Sequence, residues 1–96
     1  MLPIGFAESA LSDLENILDW YAGQQVPEVG ERLVREIFAG TEQLSTFSES
    51  GRVVPEFGIK TVRELIHPPF RIVYRVDPAI IWIVRVWRSE RVLKLA

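Results

Sequence analysis

From Ser9 the apolar residues Leu11, Leu14, Ile17, Leu18 and Tyr21 recur at intervals of three and four, with Asp13, Glu15 and Asp19 between them. That period is the stripe of an amphipathic helix, and it assigns the three acids to a solvated face. Gly23 closes this helix. Val26-Pro27-Glu28 starts another, because proline suits a first helical turn and Glu28 and Glu31 complement the positive end of the helix. The second stripe is Val29, Leu33 and Ile37, with Val34 and Phe38 beside it, continuing through Leu44 and Phe47. The link between the two is short, which predicts an antiparallel helical hairpin. Ahead of it, Leu2-Pro3-Ile4-Gly5-Phe6 reads as a short strand that Pro3 and Gly5 confine to an edge or irregular position.

Ser48-Glu49-Ser50-Gly51 is a cluster of breakers, and beyond it the period falls to two. Residues 61–66, 70–76 and 80–87 are rich in β-branched and aromatic side chains, and His67-Pro68-Pro69 and Asp77-Pro78 separate them at hairpin lengths. In the second of these strands Phe70, Ile72, Tyr74 and Val76 share a core face, while Arg71, Val73 and Arg75 share the other. In the third, Ile80, Trp82, Val84 and Val86 alternate with Ile81, Ile83, Arg85 and Trp87. A strand apolar on both faces suits a central place in the sheet, or cover by a partner. The expected fold class is therefore α+β: an N-terminal short strand and an antiparallel helical hairpin packed on a C-terminal three-stranded antiparallel meander.

Ninety-six residues fill one core, so residues 1–96 are expected to form a single domain. The chain has no cysteine and one histidine, too few soft ligands for structural zinc, and no metal or cofactor is expected. The longest apolar run, 79–84, is far short of a membrane span, so a cytoplasmic protein with no membrane partner is the expectation.

Charge changes the picture more. Residues 1–50 carry nine acids against two bases, a balance of −7, and residues 51–96 carry nine bases against four acids, a balance of +5. Such asymmetry points to a binding surface in the basic half, against the plainer reading that the halves neutralise each other when packed. All but two of the eleven bases are arginine, the side chain suited to bidentate capture of carboxylate or phosphate. Arg71, Arg75 and Arg85 lie on adjacent strands, Arg63 on the first, and Arg88 and Arg91 beyond the last. Glu56, Glu64 and Glu90 can pair with some of these, but four local acids cannot neutralise nine bases. Trp20, Tyr21 and Trp82 read as core candidates, and Trp87, on the arginine-bearing side of its strand, reads as an interface residue. There is no Gly-rich phosphate loop, nucleophile elbow or H-E-x-x-H, and His67, between Ile66 and Pro68, reads as a turn residue rather than a base.

Gly51-Arg52-Val53-Val54-Pro55-Glu56, Arg63-Glu64-Leu65, Phe70-Arg71-Ile72-Val73-Tyr74-Arg75 and the closing run 83–91 together resemble the RelE/ParE superfamily of toxin–antitoxin toxins. Phe6 to Ile17 is similar to that family's strand-into-helix opening. The resemblance implies a toxin made with a small antitoxin, a segment of which wraps the sheet and helical hairpin. It also implies one of two activities. RelE-type members cut mRNA in the ribosome, chemistry that needs a base for the ribose 2′-hydroxyl, an acid for the leaving oxygen and cations around the phosphorane. Their basic strand positions correspond here to Val62 and Glu64, and the histidine of some relatives to Trp87. Arg71 and Arg91 remain for phosphate charge, but arginine stays protonated and is no base, so this reading leaves the base unidentified, to be sought around His67 and Glu56.

ParE-type members, which block DNA gyrase by binding, resemble the chain better in the Gly-Arg-x-Val-Pro-Glu stretch, the Arg-Glu-Leu strand and the short C-terminus. The branch requires a complementary surface, and the arginine face with Trp87 is the one the sequence offers: Arg63, Arg71, Arg75, Arg85, Trp87, Arg88 and Arg91 are the expected target contacts. Antitoxin is expected over Ile81, Ile83, Trp87, Val92, Leu93 and Leu95, by helix-in-groove packing or strand addition. The alternatives are the ribosome-dependent nuclease using Arg71, Arg91 and His67, and an inactive remnant that only binds antitoxin.

Overall fold

The computed structural model describes residues 1–89. A short strand β1 (Ile4–Phe6) leads into helix α1 (Glu8–Gly23) and antiparallel helix α2 (Pro27–Thr41), then strands β2 (Arg52–Val53), β3 (Val62–His67), β4 (Phe70–Val76) and β5 (Ile81–Arg88). Both helices begin without a side-chain cap, and Pro27 takes the first turn of α2. Thr41, the last residue of α2, turns its hydroxyl back onto the Phe38 carbonyl, 2.8 Å away. The chain then tightens into a 3-10 turn, Glu42–Ser45. This is where the expected continuation of the second helix fails: Leu44 is buried in the turn, but Phe47 lies beyond it and is exposed.

The strands form one mixed sheet in the order β1-β5-β4-β3-β2. The expected meander is its antiparallel centre, in which β3 pairs with β4 and β4 with β5. The sheet is wider than the sequence pattern predicts, because β1 joins β5 in parallel, Ile4 opposite Ile81 and Phe6 opposite Ile83, and β2 joins β3. A parallel neighbour is possible because the hairpin α1–α2 and the meander form a long crossover between β1 and β5.

The helices cover one face. Ala10, Leu14 and Ile17 of α1, Leu33 and Ile37 of α2, Leu44, Phe70, Ile72, Tyr74, Ile81, Ile83 and Val86 form the main core. A side chain such as Ile37, Ile72, Ile81 or Ile83, fully shut from water, contributes about 1.5–3 kcal/mol by burial. Gly30 lets the helices approach, since a β-carbon there would meet the Tyr21 β-carbon at 3.0 Å. The opposite face holds a smaller cluster in which Val54 and Val73 are buried with Phe57, Val62, Val84 and Trp87 against them.

The expected alternation of β5 breaks at a bulge. Tyr74 lies opposite Ile83 but Val73 lies opposite Arg85, so Val84 is one residue too many for its partner strand. Ile81 and Ile83 therefore face the helices together with Val86, while Val84 and Trp87 face the second cluster. Strict alternation along the sequence places Val86 on the face opposite Ile81 and Ile83. A one-residue insertion reverses side-chain direction from that point on, and no composition signal marks it.

Candidate protein-binding cleft

The basic half does not present one arginine face. Arg71 is buried on β4, where its Nε donates to Glu64 Oε1 at 2.6 Å and its Nη1 and Nη2 clasp the Glu56 carboxylate at 2.8 and 2.9 Å. Arg52 Nε donates to the other Glu64 oxygen at 2.6 Å. The Glu56 contacts, followed by Glu64, hold the Arg71 guanidinium above its ordinary range and outweigh burial. Arg75 grips Asp77 through two hydrogen bonds, and Arg63 donates to the carbonyls of Lys60, Glu49 and Gly51. Arg85 clasps Asp13 of α1 at 2.8 and 3.0 Å. The count of four acids against nine bases missed both this donation from the acidic half and the use of backbone carbonyls.

Of the nuclease set, the two described members are apart. His67 and Arg71 are on opposite faces of the sheet, since His67 pairs with the core residue Phe70 while Arg71 pairs with Ile66 and Trp87. The His67 ring lies 3.2 Å from Glu36 of α2. Ile81 and Ile83, expected under antitoxin, are wholly buried beneath the helices and offer no contact surface. Arg91, Val92, Leu93 and Leu95 lie outside the described residues.

What the fold does present is a cleft of about 380 Å³ between the C-terminal half of α1 and the end of β5. Asn16, Ile17, Trp20 and Tyr21 form its helical wall, and Val86, Trp87, Arg88 and Phe70 its sheet wall, with the Asp13–Arg85 pair at one end. Trp20 is 54% exposed and meets Tyr21 edge-on at 4.8 Å. The Arg85 guanidinium lies 4.4 Å from the Trp87 ring centre, and that of Arg88 lies about 6 Å from both Trp20 and Phe70. Flat apolar rings with arginine between them are the composition of protein-interface hot spots. Among the described residues, this lining sets apolar rings beside arginine, a surface of the shape and charge for an apolar side chain with a neighbouring carboxylate.

Of the expected contact residues the structure brings together Arg85, Trp87 and Arg88, and it leaves Arg63, Arg71 and Arg75 elsewhere. Asp13, assigned to a solvated face, is 9% exposed and accepts from both Arg85 and the Val86 amide. Trp20, assigned to the core, is on the surface. The Asp13–Arg85 contact spans 72 residues, beyond the reach of local patterning. For Trp20 a signal was present: its position falls outside the Leu14–Ile17–Tyr21 stripe.

The chain matches, over residues 4–93, the family described as the ParE toxin of the type II toxin–antitoxin system parDE. It is similar to a solved chain of a chromosomal ParDE toxin–antitoxin system from P. aeruginosa, at 28% identity and a TM-score of 0.79, covering 94% of this chain and 98% of that one. The structure of YafQ from E. coli strain BL21(DE3) shares the fold at 8% identity and a TM-score of 0.50, covering 93% of this chain and 94% of that one. No curated protein sequence matches.

Proposed function

Since this chain belongs to the ParE toxins of type II toxin–antitoxin systems, we propose that it acts by binding DNA gyrase and that a cognate antitoxin neutralises it by covering the same surface. The observation that carries the reading is the cleft: Trp20, Trp87 and Arg88 stand at the junction of α1 and β5, where a partner's apolar and acidic side chains can be received. Inhibition by binding needs no proton-transfer group. The state of Arg71 supports this reading over mRNA cleavage, because its guanidinium is already satisfied by Glu56 and Glu64, and His67 faces the other way.

Charge favours the antitoxin as well. An acidic segment laid along the cleft would match the net positive charge of residues 51–96 and speed association. The test is supercoiling by purified gyrase with the full chain added. Inhibition with linear DNA accumulating, reversed by antitoxin, is the expected result. Unaffected gyrase together with cleavage of translated mRNA would overturn it.

A further inference from the structure

We infer that Asp13 is a strand surrogate: its carboxylate closes the outer edge of β5 beyond Ile83, so a partner seated in the adjoining cleft is read there by side chains and adds no strand to that stretch of β5. The inference goes beyond the gyrase reading and does not rest on it. Strand β1 is only three residues long and covers β5 no further than Ile83. An interior strand left uncovered beyond that point presents unpaired amides and carbonyls, a template for any extended chain.

The partners of this edge come in sequence, first from the β1 stretch and then from the start of α1. The Ile81 amide donates to the Pro3 carbonyl at 2.9 Å, and the Ala7 amide donates to the Ile83 carbonyl at 2.9 Å. One step on, the Ser9 hydroxyl donates to the Val84 carbonyl at 2.6 Å. The Val86 amide then donates to Asp13 Oδ2 at 2.8 Å. Ser9 and Asp13 are four residues apart on one face of α1, so a single helix delivers first a donor and then an acceptor along the strand. Bulging at Val84 fits this arrangement, because it keeps Val86 directed toward α1 while adding a residue to the edge. Arg85 holds the Asp13 carboxylate from its other side, which fixes the acceptor without occupying the Val86 amide. An extended partner segment would have to displace both helix side chains. A helix or loop presenting side chains to Trp20, Trp87 and Arg88 would not.

Amide hydrogen exchange on the full chain tests this. In the wild-type protein the Val86 amide should exchange as slowly as core amides of β4, although its acceptor is the Asp13 carboxylate and not the carbonyl of a neighbouring strand. Asp13→Ala should raise the Val86 exchange rate at least a hundredfold relative to β4 and make the protein associate with rising concentration through pairing with a second copy. Arg85→Ala, which leaves the Asp13–Val86 bond in place, should stay monomeric with Val86 protected. A Val86 amide that exchanges freely in the wild-type protein overturns the inference, and that measurement stands even if Asp13→Ala does not fold. So does a folded Asp13→Ala protein that remains monomeric with Val86 unchanged, or an Arg85→Ala protein that opens the edge as fully as Asp13→Ala.

Discussion

Arg71 and Glu64 meet across the β3–β4 pair at 2.6 Å with both side chains almost wholly withdrawn from water, the carboxylate at 0% and the guanidinium at 6% exposure. Neither charge stands alone. Glu56 clasps Arg71 from the 54–60 segment and Arg52 caps Glu64 from β2, so two acids and two bases form a network on the sheet face that the helices leave uncovered. Its structural effect is to tie the segment holding Val54 and Phe57 down onto Val73. A buried pair is not by itself a large source of stability, but removing one partner strands the other.

Arg71→Ala should therefore destabilise the fold by roughly 3–5 kcal/mol, because the wholly buried Glu64 keeps only Arg52. Arg52→Ala, at a side chain 61% exposed, should cost less than about 1 kcal/mol. Urea unfolding of the two variants beside the wild-type protein measures both. Equal losses would mean that the network is held from its exposed end.

Tyr74 carries a second buried connection. Its hydroxyl accepts from the Gly51 amide at 2.9 Å and donates to the Ser48 carbonyl at 2.9 Å, fastening the 48–51 turn to the middle of the sheet. Tyr74→Phe leaves that amide without its acceptor and should cost about 1–3 kcal/mol. Gly51→Ala should cost more, since a β-carbon would come within 2.5 Å of the Glu64 carbonyl oxygen and 2.6 Å of the Tyr74 hydroxyl. Burial, more than any neighbouring charge, raises the Tyr74 pKa above its ordinary value. A folded-state pKa above the unfolded one gives a contribution that is complete below about pH 10 and is lost as pH rises through the folded value. Alkaline unfolding of Tyr74→Phe should lack that component.

The helices, the meander and the core face of β4 were legible in the sequence because each rests on a period that persists over several residues. Leu14, Ile17, Leu33 and Ile37 sit where their spacing of three and four puts them. The parallel pairing of β1 with β5 was not legible, since it joins residues more than 70 positions apart and depends on how the crossover packs. Nor was the bulge at Val84, a change of register that leaves composition untouched. For the site, the structure gathers part of the residue set the sequence singles out and disperses the rest. Arg85, Trp87 and Arg88 do stand together, while Arg71 and Arg75 belong to pairs whose partners, Glu56, Glu64 and Asp77, were in plain view but had no assigned reach. Asp13 shows the limit most directly: a helical carboxylate reads as solvated until the strand beside it is known.

Glu36 on α2 gives a prediction in acid. Its carboxylate accepts from Arg32 one turn earlier at 2.9 Å and lies 3.2 Å from His67 at the end of β3. These contacts, Arg32 first and then His67, hold its pKa below the ordinary carboxylate value. A depressed pKa contributes stability that is present above the unfolded value of about 4.3 and is lost as pH falls through the lower folded value. Thermal unfolding of Glu36→Gln should therefore match the wild-type protein more closely at pH 3 than at pH 6. A difference that widens toward pH 3 would contradict the assignment.

Exposed Trp20 and half-buried Trp82 separate function from folding. Trp20 stands at the mouth of the α1–β5 cleft. Trp82 lies by the other face of the sheet, where its ring packs over Gly5 so closely that a β-carbon on Gly5 would fall 2.7 Å from it. Removing Trp20 takes away a largely exposed ring, so Trp20→Ala should change unfolding free energy by less than about 1 kcal/mol. If the cleft receives the target, the same change should weaken gyrase inhibition by about tenfold or more, the size of loss that a central interface tryptophan produces. Trp82→Ala should do the reverse: it opens a cavity over β1 and lowers stability, yet the folded fraction should inhibit as well as the wild-type protein. Dose–response curves for supercoiling, with each protein's folded fraction determined by circular dichroism, decide the matter. Full inhibition by Trp20→Ala with impaired inhibition by Trp82→Ala would move the target surface from the α1–β5 cleft to the β1 edge.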